Sequence, residues 1–389
     1  MADWKPQPYR AKAQSLEVDP TILDAAVAAG NEVVAIHPSL PPIFTLKHLA
    51  YLTDTKYSVL RMMVGRHIEE PYRVFKIRKR PGPDGAARFR VICAPSPTLL
   101  AVQSWLARKV LVHARTKVHS ASTAYAPGCS ILEAASPHCG CRWLIKVDIK
   151  NFFESVSEIS AYHAFRSLGY QPLVSFELAR LCTRVGSQTR HRAHRQWQRH
   201  LPSTKSKIHD YVYWRLGHLP QGAPTSPMLA NIAMYKADGE LTAWGLKHGL
   251  VYTRYADDMT FSISDEGFNR NKAAAVIRGI YRIIGKYGFA PNVTKTQVVP
   301  PRARKVVLGL LVDQNEPRLP REFKMGVRMH LHYLKSPKFG PAVHAANRGF
   351  TAVAGLRNHL FGLVAYAAQV EPAYGTRIKS ELEAVKWPI

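Results

Sequence analysis

Two adjacent aspartates, Asp257 and Asp258, interrupt an apolar stretch. Val251-Tyr252-Thr253-Arg254-Tyr255-Ala256 precedes them and Met259-Thr260-Phe261-Ser262-Ile263 follows. β-Branched and aromatic runs on both sides of a short polar break predict two strands joined by a tight turn, with the carboxylates at its tip. Carboxylate oxygens grouped there could hold a hard divalent cation. An aspartate pair also suits an ordinary turn, because the side chain caps its own backbone. A third acid argues for chemistry instead. Leu144-Ile145-Lys146-Val147-Asp148-Ile149-Lys150-Asn151-Phe152-Phe153 reads as an apolar strand that delivers Asp148 at its end, with Phe153 five positions on.

Two further segments complete the pattern. Leu219-Pro220-Gln221-Gly222-Ala223-Pro224-Thr225-Ser226-Pro227 runs into the helical spacing of Met228 to Ile232. Gly288-Phe289-Ala290-Pro291-Asn292-Val293-Thr294-Lys295-Thr296 leads to an apolar strand reaching Gly309. In this order the four segments resemble motifs A, B, C and D of the reverse transcriptase palm. The resemblance implies an α+β right-hand polymerase fold, with fingers, a palm of antiparallel sheet plus helices, and a helical thumb. It implies an RNA-directed DNA polymerase using two Mg²⁺ ions and dNTPs. Such ions, roughly 3.5–4 Å apart, activate the attacking hydroxyl and hold the leaving pyrophosphate. Asp148 and Asp257 would then be the bridging ligands, Asp258 the third acid and Ile149 a backbone-carbonyl ligand. Lys295 would neutralise or protonate the pyrophosphate, with a solvated surface lysine as the plain alternative. Gln221 and Gly222 would lie beside the incoming nucleotide, glycine permitting close backbone approach. Phe152 and Phe153 could both be core. In the family, however, the aromatic five residues after the motif A aspartate packs under the sugar and blocks a 2′-hydroxyl, which implies Phe153 as the gate and DNA as the product.

The supporting elements follow from patterning. Residues 1–45 form an N-terminal extension with one helical stretch, Pro20 to Ala29. Leu46 to Ile68 reads as helical, then Tyr72 to Ile77 and Ala87 to Ile92 alternate as a hairpin around a Gly82–Gly85 turn. This hairpin resembles the fingers, where Arg78 or Lys79 and Arg90 would hold the triphosphate through the bidentate contacts Arg favours. Leu99 to Val112 reads as an amphipathic helix. The fingers, with part of the palm, are expected over 46–143, the palm over 144–312 and a basic helical thumb over 313–389. No room is expected for an RNase H, integrase or endonuclease domain. Within the palm lies a basic insertion at about 186–210, whose Arg190, Arg192, Arg195 and Arg199 either track an RNA backbone or form a solvated face.

Composition narrows the partners. Lys and Arg number 54 against 27 Asp and Glu, a net charge of +27, which implies a polyanionic partner. No apolar run approaches the ~20 residues needed to span a bilayer, and the polar start is no signal peptide. Five cysteines without paired CxxC spacing argue against zinc and fit a reducing cytoplasm.

From about residue 46 to the end the chain is similar to bacterial retron reverse transcriptases, on its compact length, Tyr252-Thr253-Arg254-Tyr255-Ala256-Asp257-Asp258 and the Gln-Gly-Ala-Pro-Thr-Ser form of motif B. Two retron signatures are degenerate. Ala134-Ala135-Ser136-Pro137-His138 stands for Asn-Ala-x-x-His, and Val307-Leu308-Gly309 for Val-Thr-Gly. His138 is left as either an RNA contact or a plain core or loop histidine. The resemblance implies a structured noncoding RNA as template and primer, a DNA product that stays RNA-linked (multicopy single-stranded DNA, msDNA), and antiphage defence with a separate effector protein. The alternatives are another bacterial defence, CRISPR-associated or group II intron-like reverse transcriptase with different priming, or an RNA-binding subunit with a vestigial palm.

Overall fold

The computed structural model describes residues 4–68, 71–78, 87, 89–186, 197, 208, 211 and 215–388. At its centre is a four-stranded antiparallel sheet of β3 (Trp143–Asp148), β4 (Val251–Tyr255), β5 (Asp258–Ile263) and β6 (Gln297–Val299), in the spatial order β4-β5-β3-β6. The period-two alternation of strands assigns each side chain a face. Trp143, Ile145 and Val147 join Met259, Phe261 and Ile263 in the main core, with Leu229 and Leu241 of the Ser226–Lys247 helix and Ile280 and Ile284 of the Arg270–Lys286 helix. The opposite face carries Leu144, Lys146 and Asp148 on β3, paired with Ser262, Thr260 and Asp258 on β5. Asp148 and Asp258 thus share the face turned away from those two helices, at one end of the sheet.

β1 (Tyr72–Arg78) and β2 (Phe89–Pro95) form a separate antiparallel ribbon, exposed along most of its length. Its root is fixed where Cys93 N donates to Gln221 O at 2.7 Å. A short hairpin, β7 (Val306–Val307) and β8 (Leu310–Leu311), turns through Leu308 and Gly309, both with positive φ. It packs with Leu144 into a second core, completed by the C-terminal helices Arg321–Lys335, Gly340–Asn347, Val353–Val370 and Pro372–Glu383.

Local chemistry moved several boundaries. The expected 46–68 helix is two, Leu46–Leu52 and Tyr57–Gly65. The break falls where Thr53 Oγ1 bonds back to Leu49 O at 2.8 Å and Asp54 turns to φ 49°. The Pro20 helix continues to Ile36, and a further helix, Pro6–Gln14, precedes it. Gly30 reads as a stop signal, yet its missing side chain makes room for a ring. A Cβ there would lie 2.6 Å from Trp4 Cζ2.

Candidate active site

The Asp257–Asp258 hairpin is as tight as its sequence predicts. Tyr255 pairs directly with Asp258, leaving Ala256 and Asp257 as the two turn residues, and Ala256 has φ 57°. A left-handed alanine stores strain that the surroundings must hold. Here Ile149 N donates to Asp257 O at 3.0 Å, tying the residue after Asp148 to the turn. From the other side, Arg254 Nη1 donates to Ala256 O at 2.9 Å. Three carboxylates are brought together by one strand end and one turn.

Their charges strain against one another. Burial, and then the neighbouring Asp148, push the Asp257 carboxyl above the ordinary carboxylate range. Asp258 is pushed up by burial first, then by Asp257 and Asp148, while Lys146 and Lys295 oppose the shift. Asp148 has cationic company. Its Oδ2 accepts from Lys295 Nζ at 2.6 Å and its Oδ1 from Asn292 Nδ2 at 2.9 Å, while its backbone oxygen accepts from Asn292 N at 2.7 Å. Among the described residues no three His, Cys, Asp or Glu side chains close into a single-ion cage. The donor set nevertheless suits hard cations, being oxygen-only and carrying more negative charge than Lys295 offsets. Lys295 occupies the place on Asp148 that a cation would contest, and its side chain is 47% exposed, so it has room to withdraw.

The predicted nucleotide contacts separate into those the fold gathers and those it does not. Arg90 lies close enough to Asp257 and Tyr125 for its charge to be felt at both. Ile77 pairs with Arg90, whereas Arg78 pairs with Phe89. Directly paired residues share a face, so Arg78 lies on the face opposite Arg90, and the ribbon does not present both to one triphosphate. Lys79 lies outside the described residues. Phe152 is the core member of its pair, packing on Phe289, while Phe153 is half-buried beside Tyr125, with ring centroids 6.3 Å apart. Gln221 is half-buried next to the ribbon root. Gly222 has φ 116°, and a Cβ there would meet Ile92 Cγ2 at 2.9 Å and Cys93 O at 3.2 Å. The backbone that approaches Gly222 closely is therefore the β2 strand.

His138 is not an RNA contact. It is fully buried, with Nδ1 2.7 Å from Ser262 Oγ and Nε2 2.7 Å from Thr253 Oγ1. Burial pushes it down to about 4, so the ring is neutral at physiological pH and fastens the residues around it to β4 and β5. Arg190, Arg192, Arg195 and Arg199 lie outside the described residues. Of that stretch Trp197 is described and lines a small cavity with Lys150, Asn151 and Gly288; just beyond it, Tyr211 donates to Glu177 Oε1 at 2.5 Å.

Sequence reasoning missed Tyr125, Asn231, Asp238 and the role of Arg254. Tyr125 has φ 66° and stands between Phe153 and Tyr255, its hydroxyl pushed up to about 12 by burial and then by Asp257. A bulky residue with positive φ is uncommon and draws attention to its surroundings, but φ cannot be read from sequence. Arg254 offered a signal, as a charge inside an apolar strand, and so did Asp238, a charge on a helix that packs against the sheet.

Residues 77–312 match the family model described as reverse transcriptase (RNA-dependent DNA polymerase). The chain is 29% identical to the retron Ec86 reverse transcriptase of Escherichia coli, over 86% of this chain and 92% of that one. It is 30% identical to the retron Mx162 reverse transcriptase of Myxococcus xanthus, over 78% of this chain and 59% of that one. Among solved structures, a Candida albicans telomerase in complex with a fragment of telomeric RNA matches with TM-score 0.44 at 14% identity, over 82% of this chain and 56% of that one, too loosely to carry an argument.

Proposed function

The chain belongs to the reverse transcriptase family and is an RNA-directed DNA polymerase similar to those of bacterial retrons, and from that premise we propose that it copies part of a structured noncoding RNA into RNA-linked, multicopy single-stranded DNA. The observation that carries this reading is the convergence of Asp148, Asp257 and Asp258 at one sheet end, within a chain whose likeness to retron enzymes runs over most of its length. Asp148 and Asp257, with Asp258 and the Ile149 carbonyl, would hold two Mg²⁺ ions. Bound there, such ions supply activation of the attacking hydroxyl and stabilisation of the departing pyrophosphate. Arg90 holds the triphosphate, and Gln221 lies beside the nucleotide. Phe153 excludes the ribose 2′-hydroxyl. Lys295, once released from Asp148, offers its proton to the pyrophosphate oxygen. The net charge of +27 serves the RNA.

In this reading the RNA primes from a 2′-hydroxyl of an internal guanosine, the particle works in the cytoplasm, and a separate effector protein completes an antiphage system. Among the described residues no helix is long and apolar enough to cross a membrane. The degenerate signatures at Ala134 and Leu308 favour an altered cognate RNA over a change of chemistry, since both lie away from the carboxylates in sequence and Ala134 O serves as acceptor for Thr253 Oγ1.

The test is DNA synthesis without added primer. Given only the noncoding RNA encoded beside its gene, dNTPs and Mg²⁺, the protein should make DNA whose mobility shifts on 2′–5′ debranching. A strict need for an annealed primer would replace this reading with the intron-like alternative, and DNA attached to a protein hydroxyl with that of another defence enzyme.

A further inference from the structure

Arg254 is the largest fully buried side chain of the described residues, and it lies two residues before the catalytic turn's strained Ala256. Its guanidinium is held by a bidentate pair with Asp238, Nε to Oδ1 at 2.8 Å and Nη2 to Oδ2 at 2.7 Å, both side chains having no exposure. Tyr252 donates its hydroxyl to the same Asp238 Oδ1 at 2.8 Å. Both donors of Nη1 are also used, reaching Asn231 Oδ1 at 3.1 Å and Ala256 O at 2.9 Å. Asn231 extends the network to the 121–124 segment. Its Nδ2 donates to Ala124 O at 2.7 Å, and Ser122 Oγ donates to its Oδ1 at 3.0 Å. Arg254's own backbone closes the circuit, its N donating to Ala121 O at 2.8 Å and its O accepting from Thr123 N at 2.9 Å. The carbonyl that Arg254 grips belongs to the residue before Asp257, and the one that Asn231 grips belongs to the residue before Tyr125.

We propose that Arg254, fixed by Asp238 and Asn231, is a positioning residue for the polymerase reaction: it sets the Asp257 turn and the Tyr125 loop relative to each other from inside the protein. A salt bridge that served stability alone would have no call on the turn carbonyl. Buried ion pairs are also poor stabilisers, since desolvation offsets much of the attraction, and hydrophobic replacements of both partners are often neutral or stabilising. The planar fork matters here because a lysine ammonium is a point charge that cannot satisfy Asp238 bidentately and still span Asn231 and Ala256.

This inference rests on Asp257 being at the reacting centre, and Asp257→Asn assayed in parallel with wild type tests that premise separately. Two variants test the inference. Arg254→Lys, folded by circular dichroism, should lose about 100-fold in kcat, the scale of an ångström-sized misplacement, with little change in KM for dNTP or in RNA affinity. The paired replacement Arg254→Met with Asp238→Leu should restore the urea midpoint to near the wild-type value yet leave kcat low. Mn²⁺ binding followed by electron paramagnetic resonance should weaken about 10- to 100-fold in both variants, as when the outer supports of a metal ligand are removed. Wild-type kcat and Mn²⁺ affinity in Arg254→Lys, recovery of activity along with stability in the double variant, or failure of the double variant to fold would each overturn the proposal by returning the pair to a purely structural role.

Discussion

Phe153 stands half-buried, with Phe152 beside it in the core and the Tyr125 ring 6.3 Å away. Its neighbour's burial frees Phe153 for a role in selecting the sugar. Shortening it, Phe153→Ala, should relax discrimination against ribonucleotides by about 10–100-fold, the range that the shape of an apolar pocket can supply, while deoxynucleotide incorporation falls less. Single-nucleotide incorporation with each sugar, measured as kcat/KM, checks this. Equal losses on both sugars would make Phe153 packing alone. The expectation for Phe153 rests on a sequence pattern, an aromatic five residues after an aspartate, and the structure adds only that Phe153 is the less buried of the two phenylalanines. Tyr125 was not legible, since its importance lies in a backbone angle and in neighbours from distant segments.

At the scale of elements, the sheet was readable and the junctions were not. The apolar runs around Asp148 and on both sides of Asp257-Asp258 foretold strands joined by a tight turn; the structure puts that turn at 256–257, with Asp258 already opening β5, and its register decides which side chains face the helices. The fingers ribbon was foreseen as a hairpin, but its register decides that Arg78 and Arg90 face opposite ways, and register depends on partners that a single strand does not contain. Gly222 is the other junction. Its freedom was expected to serve the nucleotide, and the structure adds a second demand on it, from Ile92 and Cys93 of β2. Gly222→Ala should therefore destabilise the protein by about 1–3 kcal/mol, through an unfavourable positive φ and a clash with β2. The dNTP KM should also rise, because β2 carries Arg90. Urea denaturation and dNTP titration measure the two effects. An unchanged urea midpoint would mean that the ribbon root yields freely and that Gly222 is kept for something else.

At the scale of the whole molecule, a basic chain is arranged around a small acidic centre. The +27 charge draws a polyanion toward carboxylates that would repel it unless cations intervene. That conflict is visible in the site itself, where Asp257 and Asp258 are held above their ordinary range and Lys295 lies against Asp148. Charge and motif order were legible from the sequence alone, and they led to the polymerase reading before any geometry. What stayed hidden was the buried circuit of Asn231, Asp238 and Arg254, because residues 231, 238 and 254 meet only once the helix has packed on the sheet. For carboxyls with raised folded values, the sign of the pH linkage is fixed. Their contribution favours the fold at low pH and is lost as pH rises through those values, so metal-free protein should gain stability at neutral pH when the two charges are removed. The same substitution tests the central claim most directly. Asp257→Asn together with Asp258→Asn should melt no lower than wild type without divalent ions and should bind RNA as before. Its rate of single-nucleotide addition to a primer on an RNA template, in Mg²⁺, should fall by at least about a thousand-fold. A double variant that extends the primer at the wild-type rate would place the active site elsewhere in the molecule.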